Sequence, residues 1–195
     1  MSSETRYRLI QATKEILVES GIGSVTLRGV GAHSGLSRGA VYRHFKDKED
    51  LIGSIATELM LRNLIALKEI IATNNVSKET LKLLLNTFFM LNIDPSFTHQ
   101  LLLTTSWDRE KFQDFHRYGK EKYAVLVDFI DKLKNKLNNG DIHKNPLNSS
   151  HLTTMAFSFT LGLVNLHVGD HKEESKGLDN IYNLISEFVD TMFRE

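Results

Sequence analysis

Side chains that donate strong hydrogen bonds are concentrated in residues 26–45, TLRGVGAHSGLSRGAVYRHF. This segment contains three arginines, Arg28, Arg38 and Arg43. A guanidinium group presents a planar fork of N–H donors, which matches phosphate oxygens and the acceptor edges of bases. Tyr42 and His44 can donate further hydrogen bonds to phosphate oxygens. This set of donors favours recognition of a nucleic acid through its backbone and its base edges.

Two short helices are predicted to position these donors. Thr26 and Ser37 are residues favoured as helix N-caps, so one helix is expected from Thr26 to about His33 and another from Ser37 to about Arg43. Gly35 lies in the turn between them and is expected to adopt a positive φ. Two short helices joined by a glycine-containing turn form a helix-turn-helix, whose second helix enters the major groove of DNA.

The stretch from Gly21 to Leu51, and above all GLSRGAVYRHFKDKEDL, resembles the N-terminal signature of the TetR family of bacterial repressors. The resemblance implies a dimeric repressor whose body binds a small ligand and whose last two helices form the dimer interface. Carried over by position, the implied contacts to duplex operator DNA are Thr26, Arg28, Ser37, Arg38, Gly39, Tyr42, His44 and Lys48.

The second predicted helix departs from the family pattern at three positions. Gly29 stands where the family usually has an acid, Gly31 where it usually has alanine, and Ser34 where alanine is common. A glycine inside a helix costs about 1 kcal/mol relative to alanine. This helix is therefore expected to be marginal in isolation and to depend on packing against the first helix.

The whole chain is predicted to be all-α, because apolar residues recur every three or four positions almost throughout its 195 residues. The nine predicted helices cover about residues 4–20, 27–33, 38–43, a long segment after 47, 78–92, a segment from 94, a segment after 107 to 137, 149–168 and 178–193. The first three make a DNA-binding domain over residues 1–47. The remainder, residues 48–195, is predicted to be a ligand-binding and dimerisation domain.

Charge and cysteine content limit the classes of protein. The chain is formally neutral, but residues 1–46 hold seven basic and three acidic residues, so seven minus three gives +4 there and −4 in the rest. That asymmetry is typical of a nucleic-acid-binding head on a neutral-to-acidic body.

The chain has no cysteine, and neither a signal peptide nor a membrane-spanning run is recognisable. A cytoplasmic protein without membrane contact is predicted.

The body is rich in aromatic residues with polar groups between them, as small-molecule sites usually are. The residues predicted to contact a small-molecule effector are Phe88, His99, Trp107, Phe112, His116, Phe157 and Asn165. The alternative is that these side chains are ordinary core. His167 and His171 have a spacing that suits a metal, but Gly169 is expected to end the helix between them. No metal site and no cofactor are predicted.

The last two predicted helices favour a homodimer. The eighth is apolar nearly all round and the ninth has a continuous apolar stripe, which pairing across a two-fold axis would bury. The predicted interface residues are Phe159, Gly162, Leu163, Leu166, Ile181, Leu184, Ile185 and Phe188.

The sequence therefore predicts a ligand-responsive, DNA-binding transcriptional repressor that is not an enzyme. The alternative is an all-helical small-molecule carrier or enzyme. The sequence has no cysteine, no glycine-rich phosphate loop and no paired carboxylates beside a histidine in a plausible cleft. The usual arrangements of catalytic residues are therefore not recognisable, which disfavours an enzyme.

Overall fold

The computed structural model describes residues 2–93, 110–138, 147–169 and 174–193, and in those ranges it contains eight α-helices and no strand. The helices are α1 (Ser2–Ser20), α2 (Leu27–His33), α3 (Arg38–His44), α4 (Lys48–Thr73), α5 (Lys78–Asn92), α6 (Gln113–Asn138), α7 (Ser149–Gly169) and α8 (Glu174–Met192). A 3-10 turn, Ile22–Ser24, follows α1. The all-α prediction is confirmed. The helix predicted from Asp94 lies outside the described residues.

Capping side chains fix where four of these helices begin. The caps are Thr26 before α2, Ser37 before α3, Asp47 before α4 and Ser77 before α5. Their side-chain oxygens accept hydrogen bonds from the backbone N–H groups of Gly29, Ala40, Asp50 and Thr80 at 3.0, 3.3, 2.7 and 3.1 Å. Each bond satisfies an amide that the helix itself leaves without a partner. The two caps predicted from the sequence, Thr26 and Ser37, are confirmed.

The chain divides into two compact units. The first contains residues 1–61 and 94–117, and the second contains residues 62–93 and 118–195. Helices α4 and α6 each contribute residues to both units. The functional boundary after residue 47 remains a prediction.

The first unit is built on α1, against which α2 and α3 both pack. Its fully buried apolar side chains include Leu9, Val25, Val30, Val41, Phe45, Leu51 and Ile55. The turn between α2 and α3 is fixed by Gly35, whose φ of 67° is a conformation that glycine adopts without strain. Arg8 on α1 donates to the Ser34 carbonyl oxygen at 2.8 Å and so holds the same turn.

Gly31 allows α2 and α3 to approach closely. It is buried, and a Cβ at this position would lie 2.9 Å from Cγ2 of Val41. The sequence predicts only the conformational cost of this glycine. The structure adds the close packing that its missing side chain permits, which offsets that cost.

The second unit has one core cluster to which α5, α6, α7 and α8 all contribute. Its most deeply buried side chains include Leu81, Phe89, Leu126, Phe129, Ile130, Leu133, Leu152, Val164, Ile185 and Val189. Helix α5 packs against both α7 and α8. An ion pair of 2.8 Å between Lys82 and Asp190 joins α5 to α8 at the rim.

Gly53 on α4 is in close contact with Phe112, just before α6. A Cβ at residue 53 would lie 1.9 Å from Cε1 of Phe112, so Gly53→Ala must displace the aromatic ring. We expect this substitution to lower the free energy of unfolding by about 1–3 kcal/mol, as overpacking of a well-packed core does. Thermal unfolding followed by circular dichroism measures the loss. Gly39→Ala is the matched control, since no atom lies within 4 Å of its Cβ position and it should not lose stability.

Candidate functional site

Helix α3 has one face in the core and one face in solvent. Ala40 and Val41 are buried, with exposed fractions of 6% and 0%. The exposed residues at its start and along its outer face are Ser37, Arg38, Gly39, Tyr42 and Arg43. A short helix with an apolar inner face and a basic, hydroxyl-bearing outer face is the arrangement that major-groove recognition requires.

Arg38 and Tyr42 form a stacked pair on this outer face. The guanidinium carbon of Arg38 lies 5.5 Å from the centre of the Tyr42 ring, and 48% of Tyr42 remains exposed. Arg43 is oriented separately, because its Nε donates to the Gly39 carbonyl oxygen at 3.3 Å. These contacts limit the orientations of both guanidinium groups and lower the entropic cost of ordering them on a ligand.

Gly39 has no packing role in the described structure. A Cβ there would meet no atom within 4 Å, although glycine costs about 1 kcal/mol in a helix relative to alanine. Without a side chain at this position, the backbone of α3 is accessible on the exposed face. Close approach of a DNA backbone is one use of such a gap.

The other predicted DNA contacts lie around α3. Thr26 and Arg28 are exposed at the start of α2, and His44 is half-buried at the end of α3. Lys48 is half-buried, and its Nζ donates to the Ile22 carbonyl oxygen at 2.7 Å. Lys48 therefore also has a structural role, since it ties the start of α4 to the 3-10 turn.

Two of the predicted effector contacts come together in the second unit. The rings of Phe88 on α5 and Phe157 on α7 meet edge to face with their centres 5.1 Å apart. Tyr123 on α6 stacks on Phe157 at 6.3 Å, and its hydroxyl group donates to the Ser150 carbonyl oxygen at 2.9 Å. These side chains form an aromatic cluster with a hydroxyl group at its edge.

Lys122 completes this cluster, and the sequence did not identify it. Its Nζ lies 4.7 Å from the ring centre of Phe88 and 5.2 Å from that of Phe157. Only 9% of the residue is exposed, and burial lowers the pKa of Lys122 from 10.5 to about 8. One feature of the sequence does indicate this burial. Lys122 stands at a position that the spacing of the apolar residues of α6 assigns to the interior.

The lowered pKa of Lys122 makes stability depend on pH. Below about pH 8 the lysine is protonated in both the folded and the unfolded chain, so folding carries the full cost of burying the charge. Above about pH 10.5 it is neutral in both, so the cost vanishes. At pH 7 we expect the free energy of unfolding of Lys122→Met to be about 1–3 kcal/mol higher than that of the wild type. The difference should shrink between pH 8 and pH 10 in urea titrations; a constant difference would contradict the assignment.

The remaining predicted effector contacts lie elsewhere. Phe112 and His116 belong to the first unit, where Nε2 of His116 is buried and has no hydrogen-bond partner among the described residues. Asn165 on α7 is exposed. His99 and Trp107 lie outside the described residues. The set as a whole remains a prediction, of which Phe88 and Phe157 are in mutual contact.

The predicted dimer residues on α7 and α8 differ in exposure. Leu163, Ile181 and Ile185 are buried within the protomer. Phe159 and Phe188 are half-buried and stack on each other with ring centres 4.2 Å apart. Leu184 is half-buried, Gly162 is exposed, and 73% of Leu166 is exposed. An exposed leucine beside an exposed glycine is a surface that a second helix could cover.

Within the described ranges, no three side chains of metal-binding type are grouped. His167 instead packs against the ring of Phe89 with centres 5.7 Å apart, and His171 lies outside those ranges. No helix in the described part of the chain is long and apolar enough to cross a membrane.

Part of the first unit is similar to a known protein family. Residues 9–55 match the model of the bacterial regulatory proteins of the tetR family. The chain is 37% identical over 54 residues to the HTH-type transcriptional repressor BepR of Brucella suis, a match that covers 28% of this chain and 26% of the relative. The chain therefore matches only about a quarter of the length of that relative.

Two further matches extend beyond the first unit. The HTH-type transcriptional repressor AcnR of Corynebacterium diphtheriae is 28% identical over 145 residues, covering 66% of this chain and 74% of the relative. The crystal structure of the transcriptional regulator FadR from Bacillus subtilis, in complex with stearoyl-CoA, superposes with a TM-score of 0.73 at 22% identity. That superposition covers 95% of this chain and 98% of FadR, so the two share a fold over nearly their whole length.

Proposed function

We propose that the chain is a member of the TetR family of bacterial regulatory proteins and acts as a dimeric transcriptional repressor that a small molecule releases from its operator. The observation that carries the proposal is the outer face of α3, where Ser37, Arg38 and Tyr42 are exposed while Val41 anchors the opposite side. In this role α3 lies in the major groove, with arginine donors at base edges and hydroxyl groups at phosphates. Because its partner is genomic DNA, we expect it to act in the cytoplasm.

The proposed release follows from linkage between two sites. An effector that binds the body more tightly in one arrangement of the dimer than in another shifts the population toward that arrangement. In that arrangement the spacing of the two α3 helices does not match successive major grooves, so DNA binds less tightly. The loss of binding free energy equals the coupling free energy between the effector site and the DNA site. Among the described residues of the body, the aromatic cluster of Phe88, Tyr123 and Phe157 best fits an effector site.

The direct test is selection of binding sites from random duplexes, followed by mobility-shift titration of the selected sequence. We expect site-selective binding whose affinity falls steeply as salt is raised, because phosphate contacts release counterions. A chain that binds no duplex selectively, or that turns over a substrate while Arg38 and Tyr42 are dispensable, would instead be a carrier or an enzyme.

Ser37→Asp separates the structural role of Ser37 from its role on DNA. Aspartate caps a helix about as well as serine, so the stability should stay within about 0.5 kcal/mol of the wild type. The added charge faces the phosphate backbone, so we expect operator affinity to fall about tenfold or more, which corresponds to about 1.4 kcal/mol. Mobility-shift titration at one salt concentration measures the change.

The matched control for this substitution is Ser77→Asp, because Ser77 is the N-cap of α5 in the second unit. It introduces the same charge at the same helical position, and operator affinity should remain that of the wild type. Equal losses in both variants would mean that net charge, and not the position on α3, determines the effect.

A further inference from the structure

The ammonium group of Lys122 is buried without a neutralising carboxylate among the described residues. Burying an unpaired charge is costly, and the faces of Phe88 and Phe157 offset only part of that cost. A lysine that merely filled this position would be better replaced by an apolar residue of similar length. Packing alone therefore does not account for a charged residue at this position.

The carboxylates of α6 in the second unit are bonded to other groups. Glu121 pairs with Lys68, Asp128 pairs with Lys132 at 2.7 Å, and Asp131 accepts a hydrogen bond from the Ser149 hydroxyl group at 2.8 Å. None of these pairs involves Lys122, although the three acids are on its own helix. The positive charge therefore remains uncompensated on α6.

The side chains around Lys122 have the composition that is typical of a ligand site. Phe88, Tyr123 and Phe157 supply aromatic surface from three different helices, and the Tyr123 hydroxyl group lies 3.0 Å from Oγ1 of Thr154 at the edge of the cluster. Small-molecule sites combine mostly apolar walls with a few placed polar groups that set the orientation of the ligand. A single buried cation among aromatic rings meets this description.

We propose that Lys122 binds the negatively charged group of the effector, and that the effector is an anion with an apolar body. The charged group is a carboxylate or a phosphate, since both pair with an ammonium group. This inference rests on the proposed function, because it names the chemistry of the ligand that releases the repressor. With a pKa of about 8 the lysine is mostly protonated at neutral pH and ready to pair with an anion.

Three probes with one alkyl chain test the proposal: dodecanoate, dodecyl phosphate and uncharged dodecanol. Each is titrated by calorimetry into the full-length wild type, Lys122→Met and Lys122→Arg. For the wild type we expect at least one anion to bind about tenfold or more tightly than dodecanol, a ratio that equals 1.4 kcal/mol. The preferred anion identifies the source of the charge as carboxylate or phosphate.

The variants assign the preference to this residue. Lys122→Met should bind the anions and dodecanol with equal affinity, and Lys122→Arg should retain the preference because it keeps the charge. Lys120→Met is the matched control, since Lys120 is exposed on the same helix and its loss should leave the preference intact. A wild type that does not prefer either anion, or a Lys122→Met variant that keeps the preference, would overturn the proposal.

A failure of this inference is distinguishable from a failure of the proposed function. A chain that binds operator DNA selectively but has no Lys122-dependent preference for anions remains a repressor with another effector. A chain that prefers anions through Lys122 but binds no duplex selectively retains the anion site without the repressor role.

Discussion

The double substitution Arg38→Ala/Tyr42→Ala is expected to abolish site-selective DNA binding while leaving the helical fold intact. Both side chains are exposed, and they stack on each other at 5.5 Å, so their removal exposes no core. A base contact contributes about 1–3 kcal/mol, and a hydrogen bond to a charged group such as phosphate about 1.5–3 kcal/mol. Losing two contacts per protomer should therefore weaken operator binding by at least about 100-fold. Mobility-shift titration gives the affinity, and circular dichroism gives the melting temperature.

Arg117→Ala is the control for loss of positive charge. Arg117 lies near the start of α6 in an exposed ion pair with Asp114, and its removal should change the melting temperature and the operator affinity only slightly. If the double variant binds the operator as tightly as the wild type, α3 does not contact DNA in the manner described.

Phe45→Ala should have the largest effect on stability in the first unit. Phe45 ends α3, is 1% exposed, and lies under the guanidinium group of Arg6 at 5.5 Å. Removing a buried phenylalanine side chain costs about 3–5 kcal/mol, a large part of the stability of a typical domain. Urea titration followed by circular dichroism should show the loss, and DNA binding should fail because α3 is no longer held in position.

Lys46→Ala is the neighbouring control, because the Lys46 side chain is exposed. Its backbone N–H donates to the Asp50 carboxylate at 2.9 Å, and alanine keeps that hydrogen bond. We expect a change of stability within about 0.5 kcal/mol, as for other surface substitutions. A Phe45→Ala variant as stable as Lys46→Ala would contradict the packing described for α3.

The starts of α2, α3 and α4 and the exposed face of α3 could be predicted from the sequence because their causes are local. The capping bonds of Thr26, Ser37 and Asp47 join residues three apart in the chain. The positive φ of Gly35 is likewise a property of one residue in one turn. Such features depend on neighbours along the chain, which the sequence displays directly.

The aromatic cluster could be predicted only in part, because its members are distant in the sequence. Phe88 and Phe157 were identified by composition, but nothing local indicates that they meet across α5 and α7. Lys122 was missed because a lysine at an interior helical position is read as a side chain that reaches solvent. Its burial depends on the two rings that cover it, which belong to other helices.

The close contacts that two glycines make could not be predicted from the sequence either. Gly31 and Gly53 are each identified by propensity as a weak point in a helix. Their partners, Val41 and Phe112, are ten and fifty-nine residues further along the chain. The close approach between backbone and side chain becomes visible only when the helices are in contact.

The most direct test of the central claim is cleavage of operator DNA by a reagent attached beside α3. The chain has no cysteine, so Lys46→Cys creates a single attachment point for an iron chelate that cuts nearby DNA. Asn74→Cys, at an exposed position in the second unit, carries the same reagent as the control. We predict cuts from residue 46 within each half of the selected operator and none from residue 74. Cuts from residue 74 alone, or none from residue 46 on an operator that is bound, would contradict the account.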